Sequence, residues 1–259
     1  MGDCKGVGEF AGSHALITGA GSGIGSAIAM ALAQAGAKVT LVGRNPAKLQ
    51  AVCSALGAGY PVVADVTVED EITRAIDQAT LANGPLDILI NNAGAVTSTP
   101  FTKTTSKVWH DTVAVNLSGA FYGCRHILDA MMARRRGRIV NIASTAGLKG
   151  YPYIAAYCAA KHGLVGLTRA LALETAGHGI TVNAVCPGYT DTPLVSRSAE
   201  RIAAKTGRQA HDVKDALAEA SPLKRLIEPK EVADTVMWLC RPEAAAITGQ
   251  CIVIGGEVT

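Results

Sequence analysis

A doubly wound α/β sheet of seven parallel strands, with helices on both faces, is the fold this chain predicts, and three observations carry it. Short apolar runs of strand length recur along the chain; amphipathic stretches of helical length separate them; and the residues able to do chemistry fall directly behind the runs. At 259 residues the chain can bury one large core, so 1–259 is expected to form a single domain.

The strands are expected near Ala15-Thr18, Lys38-Val42, Pro61-Ala64, Leu86-Asn91, Gly137-Ala143, Ile180-Cys186 and Cys251-Ile254. Right-handed crossovers between such strands put a ligand site past their carboxyl ends, at the topological switch. Gly19 to Gly25, Asp65, Asn92 to Gly94, Ser144 and Pro187-Gly188 each follow directly on a strand. The stretch 194–222 differs: it is charged, helical in composition and inserted between the sixth strand and the last helix, which suits a substrate lid.

Charge and composition remove several classes of function. A net charge of +3, scattered along the chain, gives no nucleic-acid footprint. The one basic cluster, Arg134-Arg135-Arg136-Gly137-Arg138, falls where a helix should end, so it either complements the helix dipole in solvent or meets an anionic substrate arm such as the phosphates of a coenzyme A thioester. Seven cysteines, Cys4, Cys53, Cys124, Cys158, Cys186, Cys240 and Cys251, are dispersed and odd in number, which fits a reducing cytoplasm rather than a disulfide framework or a zinc site. Cys158, beside Tyr157, reads as a small buried thiol, because adjacent helix positions face apart. His14, His110, His126, His162, His178 and His211 lack metal-ligand spacing, so no metal is expected. Met1 to Gly6 shows neither a secretory core nor a myristoylation serine or threonine, and no apolar run approaches membrane-spanning length.

Thr18-Gly19-Ala20-Gly21-Ser22-Gly23-Ile24-Gly25 leaves the first strand and opens an Ala-rich helix. In that context glycines let backbone amides and a helix N-terminus approach a pyrophosphate, which makes the segment a dinucleotide site. An acidic residue ending the second strand would bind a 2′-hydroxyl and repel a 2′-phosphate, but Val42-Gly43-Arg44-Asn45 stands there. Arg44 therefore points to NADP, with a solvated turn arginine as its alternative and NAD still open. Asp65 either accepts a hydrogen bond from the adenine amino group or caps the next helix, as Thr67 equally could. Tyr157 and Lys161 lie four apart, which stacks a phenol and an ammonium on one helix face. A free phenol titrates near pH 10, and the cation is expected to lower that value toward the range useful in acid–base catalysis.

With these residues assembled, the chain resembles the short-chain dehydrogenase/reductases over essentially its whole length: Thr18 to Gly25, Asp65-Val66, Asn91-Asn92-Ala93-Gly94, Asn116, Ser144, Tyr157 with Lys161, and Pro187-Gly188. The resemblance implies a Rossmann-type fold, a homotetramer and a set of roles. Tyr157 is then the general acid or base, Ser144 hydrogen-bonds the substrate oxygen, Lys161 binds the nicotinamide ribose, and Asn116 supports a water-mediated proton relay. Gly19, Ser22, Gly23, Ile24, Gly25, Asp65, Val66, Asn92, Ala93 and Gly94 would line the nucleotide, with Pro187, Gly188, Thr190 and Thr192 near its nicotinamide. Helix initiation before Pro193 is the competing reading of Thr192. The ending Ile254-Gly255-Gly256 departs from the family's Asp-Gly-Gly and leaves the oligomer contact less certain.

The substrate is less defined. Asn141 to Gly147 and Ala184 to Gly188 look like ketoreductases of β-keto thioesters, whereas Lys161 to Gly177 and Thr192 to Val195 are similar to NAD-linked 3-hydroxybutyrate dehydrogenases. Val96, Ala146 and Ile154 stand where the second branch places partners for a carboxylate, and an unpaired buried carboxylate is costly. Tyr151, Pro152, Tyr153 and Ile154 suggest an apolar pocket wall, or else simply pack under the lid. The expectation is an NADP-preferring carbonyl reductase or alcohol dehydrogenase acting on a 3-oxoacyl thioester or bulky ketone. An NAD-linked secondary-alcohol or 3-hydroxyacyl dehydrogenase is the alternative, and a non-catalytic nucleotide sensor a more distant one.

Overall fold

The structure, a computed structural model, describes residues 8–256. Cys4 and the Met1 to Gly6 segment lie outside the described residues. Seven strands are formed: β1 (His14–Thr18), β2 (Lys38–Gly43), β3 (Tyr60–Val63), β4 (Ile88–Asn91), β5 (Gly137–Ile142), β6 (Ile180–Pro187) and β7 (Cys251–Ile254). All pair in parallel, in the order β3-β2-β1-β4-β5-β6-β7. The order reverses between β1 and β4, so the segments leaving those two strands open a crevice.

The helices between them are α1 (Gly23–Gln34), α2 (Pro46–Leu56), α3 (Glu69–Asn83), α4 (Ser106–Val113), α5 (Gly119–Arg134), α6 (Ala155–Thr175), α7 (Pro193–Thr206), α8 (Ala210–Ala220) and α9 (Pro229–Cys240). Alternation along the strands divides the core. Ile17, Ile90 and Val140 face α1, α2 and α9, whereas their neighbours Leu16, Leu89 and Ile139 face α3 and α5. Both sides are buried, and each such side chain contributes about 1.5–3 kcal/mol on burial. A third cluster packs Leu164 and Val165 of α6 against Ala184 and Cys186 of β6. Caps fix where several helices begin: Asn45 accepts from the Lys48 N–H (3.0 Å), Thr105 from Val108 (3.3 Å), and Glu228 with Glu231 forms a capping box on α9.

Two expectations are corrected at the amino ends of the strands. β4 begins at Ile88 rather than Leu86, because Asp87 turns its carboxylate to the His14 N–H (3.1 Å), Arg134 (2.9 Å) and Arg136 (3.3 Å). The basic cluster is thus partly spent on an ion network, with Arg134 also bonded to the Leu86 carbonyl. It sits beside His14 and Gly137, at the opposite end of the sheet from the crevice, which removes it as a contact for a substrate arm.

At the crevice, the Thr18 hydroxyl accepts from the N–H groups of Asn92 and Ala93, both at 3.0 Å, and ties the end of β1 to the segment after β4. Thr18→Val keeps the shape but leaves both donors without that acceptor. It is expected to lower stability by about 1–2 kcal/mol in urea unfolding, and an unchanged midpoint would show that the bridge carries no load.

Candidate active site

The glycine turn between β1 and α1 needs its glycines for two reasons. Gly19 and Gly23 have φ of +66° and +59°, where a side chain is strained. A Cβ on Gly19 would lie 2.9 Å from the Ala93 Cα, and one on Gly25 would lie 2.5 Å from both the Asn92 Nδ2 and the Gly19 carbonyl oxygen. Asn92 closes the turn by donating to the carbonyls of Thr18 (2.8 Å) and Gly19 (3.3 Å). Ser22 precedes α1 without capping it, which leaves first-turn N–H groups directed at the crevice. A cradle that any Cβ would fill, ending on an open helix N-terminus, fits a diphosphate.

Three further segments converge on the same crevice. Ser144 follows β5 and opens a single turn, Thr145–Gly147, in which its Oγ accepts from the Ala146 N–H at 3.1 Å. Gly147 lies so close to α6 that a Cβ there would sit 2.8 Å from the Lys161 carbonyl oxygen. That contact brings the turn onto the helix carrying Tyr157 and Lys161. The Tyr157 hydroxyl is hydrogen-bonded to Ser144, and the Lys161 ammonium stands 5.7 Å from the Tyr157 ring centre. Lys161 donates to the Ile142 carbonyl at 2.7 Å. Gly94 permits the close passage of the β4 exit loop: its Cβ would be 2.9 Å from the Asn116 Oδ1 and 3.7 Å from the Lys161 Nζ.

Electrostatics in this nest differ from the expectation. Burial pushes the Tyr157 phenol up to about 12, against the opposing pull of the Ser144 hydrogen bond. Burial likewise drives Lys161 from an ordinary lysine's 10.5 down to about 8. In the chain alone, desolvation outweighs the lowering by Ser144, so the predicted lowering of the phenol does not occur. The arrangement is a donor held protonated beside an ammonium close to releasing its proton.

A cavity of about 330 Å³ runs from the glycine turn to the lid. Gly19, Ser22, Gly23, Ile24, Asn92, Ala93 and Gly94 line one end, Ser144, Tyr157 and Lys161 the middle, and Pro187, Gly188, Thr190 and Thr192 the side near α7. Val96, Ala146, Tyr151 and Ile154 line the apolar remainder. Thr192 caps α7, accepting from Val195 at 3.4 Å as its helix-initiating reading has it, and its Cγ2 lies 3.2 Å from where a Gly23 Cβ would stand.

Gly25, Arg44, Asp65, Val66, Asn116 and Tyr153 are not among the lining residues. Gly25 acts through packing, and buried Val66 supports Gly119 of α5. Arg44 is largely exposed beyond β2 and faces Asp65 at 3.5 Å. Asp65 also accepts from the Thr67 N–H (2.9 Å) and hydroxyl (2.8 Å). Burial alone would raise its carboxyl, but the Thr67 bonds and the Arg44 cation together hold it below the ordinary range. Asp65 caps no helix, since Val68 precedes α3.

Asn116 lies in a π-helical segment, Ala114–Ser118, and its amide donates to the carbonyls of Ala95 (2.8 Å) and Thr112 (2.9 Å). That amide braces the β4 exit loop. Tyr153 is the clear miss as a pocket wall. It adopts φ +67°, stands 62% exposed, and uses its carbonyl to accept from the Thr99 N–H at 2.8 Å. Pro152, equally exposed, lies outside the wall as well.

Sequence reasoning missed Tyr189, whose ring meets Tyr151 edge to face at 6.4 Å, and the α7 residues Leu194, Val195, Arg197 and Ser198. Their helical spacing behind Pro193 was the available signal. Among the described residues no group of three or more His, Cys, Asp or Glu could hold a metal, and no helix is long and apolar enough to cross a membrane.

A dinucleotide cradle beside a buried Ser–Tyr–Lys nest, on a doubly wound sheet, defines an oxidoreductase that works on hydroxyl or keto groups. The chain belongs to the short-chain dehydrogenase family, whose model matches residues 13–203. It is 41% identical to a putative ketoacyl reductase of the granaticin polyketide synthase of Streptomyces violaceoruber, over 93% of this chain and 91% of that protein. It is 38% identical to a D-beta-hydroxybutyrate dehydrogenase of Rhizobium meliloti, over 95% and 98% of the two chains. Among solved structures, an actinorhodin polyketide ketoreductase with NADPH superposes with a TM-score of 0.91 at 38% identity, over 94% of this chain and 96% of that one.

The Lys161 shift has a measurable sign. The folded chain releases this proton near pH 8 and the unfolded chain near 10.5, so the burial cost is full below pH 8 and fades as pH rises between those values. Removing a buried charge worth on the order of 3 kcal/mol, less the lost bond to Ile142, should make Lys161→Met more stable than the parent at pH 7 by about 1–2 kcal/mol. Urea unfolding at pH 7 and pH 10.5 reads the difference. A parent more stable than the variant at pH 7 contradicts the assignment.

Proposed function

We propose that the protein is an NADP-preferring carbonyl reductase of 3-oxoacyl thioesters or bulky apolar ketones, able to run in reverse as an alcohol dehydrogenase. The observation that carries this reading is the meeting of Ser144, Tyr157 and Lys161 at the junction of the glycine-turn end and the apolar end of one cavity. The bound nicotinamide cofactor supplies or accepts the hydride. Ser144 holds the substrate oxygen, and Tyr157, already bonded to Ser144, gives that oxygen its proton as negative charge develops. Lys161, anchored by Ile142, stabilises the phenolate that remains and reaches toward the ribose. Asn116 is a positioning residue that keeps the β4 exit loop against Lys161.

The cofactor preference rests on Arg44, which stands behind β2 where an acidic residue would repel a 2′-phosphate, and which would exchange its 3.5 Å contact with Asp65 for one to that phosphate. The relative solved with NADPH supports the same choice. For the substrate, Val96, Ala146 and Ile154 offer no partner to a carboxylate beside the reacting carbon, which favours a thioester or a bulky ketone over a small free acid. The helices α7 and α8 suit a lid, since Arg201 reaches the Val96 carbonyl at 3.4 Å and Lys205 the Ser98 carbonyl at 3.1 Å. Exposed Phe121, Leu173 and Trp238 on α5, α6 and α9 support self-association, in keeping with a homotetramer.

Tyr157→Phe should bind NADPH as the parent does yet lose about a thousandfold in kcat. Undiminished turnover in that variant would sink the proton donor. Arg44→Ala should raise the KM for NADPH about tenfold and leave that for NADH nearly unchanged. A parent that turns over faster with NADH than with NADPH at low cofactor concentration would move the reading to an NAD-linked dehydrogenase.

A further inference from the structure

Among the described residues that line the cavity, two carry charged side chains, Lys161 and Arg197, and none is acidic. Lys161 is committed to the Ile142 carbonyl beside Tyr157. Arg197 projects from α7, is exposed, and makes no hydrogen bond or ion pair among the described residues. An arginine in contact with a cavity and without a carboxylate partner is a fixed positive charge awaiting an anion, and its planar fork suits carboxylate or phosphate oxygens.

Its place along α7 says which ligand it would meet. Thr192, which caps α7, lies against Gly23 and so marks the nucleotide side of the cavity. Arg201, one turn beyond Arg197, reaches the carbonyl of Val96, which lines the apolar end. Arg197 therefore stands nearly one and a half turns, roughly 7–8 Å, along the helix from the nucleotide end and toward the substrate end. Leu194, one turn before it on the same face, lines the same stretch, as does the neighbouring Ser198. A substrate whose reacting carbonyl sits at Ser144 and Tyr157 would pass an apolar body between them and carry its outer end to Arg197.

Building on the ketone-reductase reading above, we propose that Arg197 is a specificity residue that binds an anionic group, carboxylate or phosphate, at the end of the substrate remote from the reacting carbonyl. The same geometry accounts for an apolar wall beside the reacting carbon together with a cation at the lid. It also makes charge on the substrate a means of holding α7 over the cavity, because the ligand would tie the lid helix down beside Arg201.

The test pairs substrates that share a reacting ketone and differ only in remote charge. One pair is a long-chain oxo acid and its methyl ester; the other is a 3-oxoacyl coenzyme A and the neutral 3-oxoacyl N-acetylcysteamine thioester. The parent should show the lower KM for the charged member of at least one pair, and the pair that responds tells carboxylate from phosphate. Arg197→Met should erase that preference, a loss of about tenfold, without changing KM for the neutral member or the dissociation constant for NADPH. Arg197→Lys should restore part of it.

Equal effects on charged and neutral members, or a loss confined to NADPH binding, would overturn the proposal. If the parent reduces none of these ketones, the reductase reading fails on its own. Binding of both pairs to the NADPH complex, followed by NADPH fluorescence, then decides the role of Arg197: no parent preference for the charged member of either pair overturns it.

Discussion

The hydrogen bond from Lys161 to the Ile142 carbonyl is the contact on which the rest of the site depends. It fixes a buried ammonium at the carboxyl edge of β5 and sets the rotation of α6, and therefore the position of Tyr157 one turn earlier. Gly147 presses the Ser144 turn onto the same stretch of α6, and Gly94 lets the β4 exit loop pass beside the ammonium. Burying that charge is unfavourable to folding, as its lowered proton affinity records. The sheet offsets the cost: α6 packs through Leu164 and Val165 on β6, a strand buried along its whole length.

The same low-dielectric nest explains why the pair is reactive only in context. Alone, Tyr157 is a reluctant acid and Lys161 a weak base, both because water is excluded. A positive charge arriving beside them would favour the phenolate, and the burial that opposes ionisation also strengthens that attraction. The site is thus responsive to a charge brought into the cavity beside Lys161, which couples cofactor binding to the chemistry of Tyr157.

Much of this was legible in the sequence because a parallel sheet buried on both faces leaves continuous apolar runs, and its ligand site must follow their carboxyl ends. All seven strands were found, with boundaries moved by a residue or two where a side chain had other business, as Asp87 does with Arg134. The glycine turn and the Tyr157–Lys161 pair were readable from order and spacing, whereas Ser144 was singled out by its place behind a strand and by the family resemblance. Three things were not. The direction of the Tyr157 shift depends on exclusion of water, which no spacing records. Tyr153 left the pocket wall because it takes a left-handed backbone conformation, which its side chain does not announce. Arg197 was not singled out within the segment read as a lid, and its place beside the cavity emerges only from the seating of α7, where Arg201 reaches the Val96 carbonyl.

The most direct test of the central claim is an ultraviolet difference titration of the Tyr157 phenol, isolated by subtracting the Tyr157→Phe spectrum, with and without NADP⁺. The account predicts a phenol near 12 in the chain alone that falls by roughly one to three units when the cofactor's positive charge is present beside Lys161. A phenol that stays near 12 in the complex would contradict it.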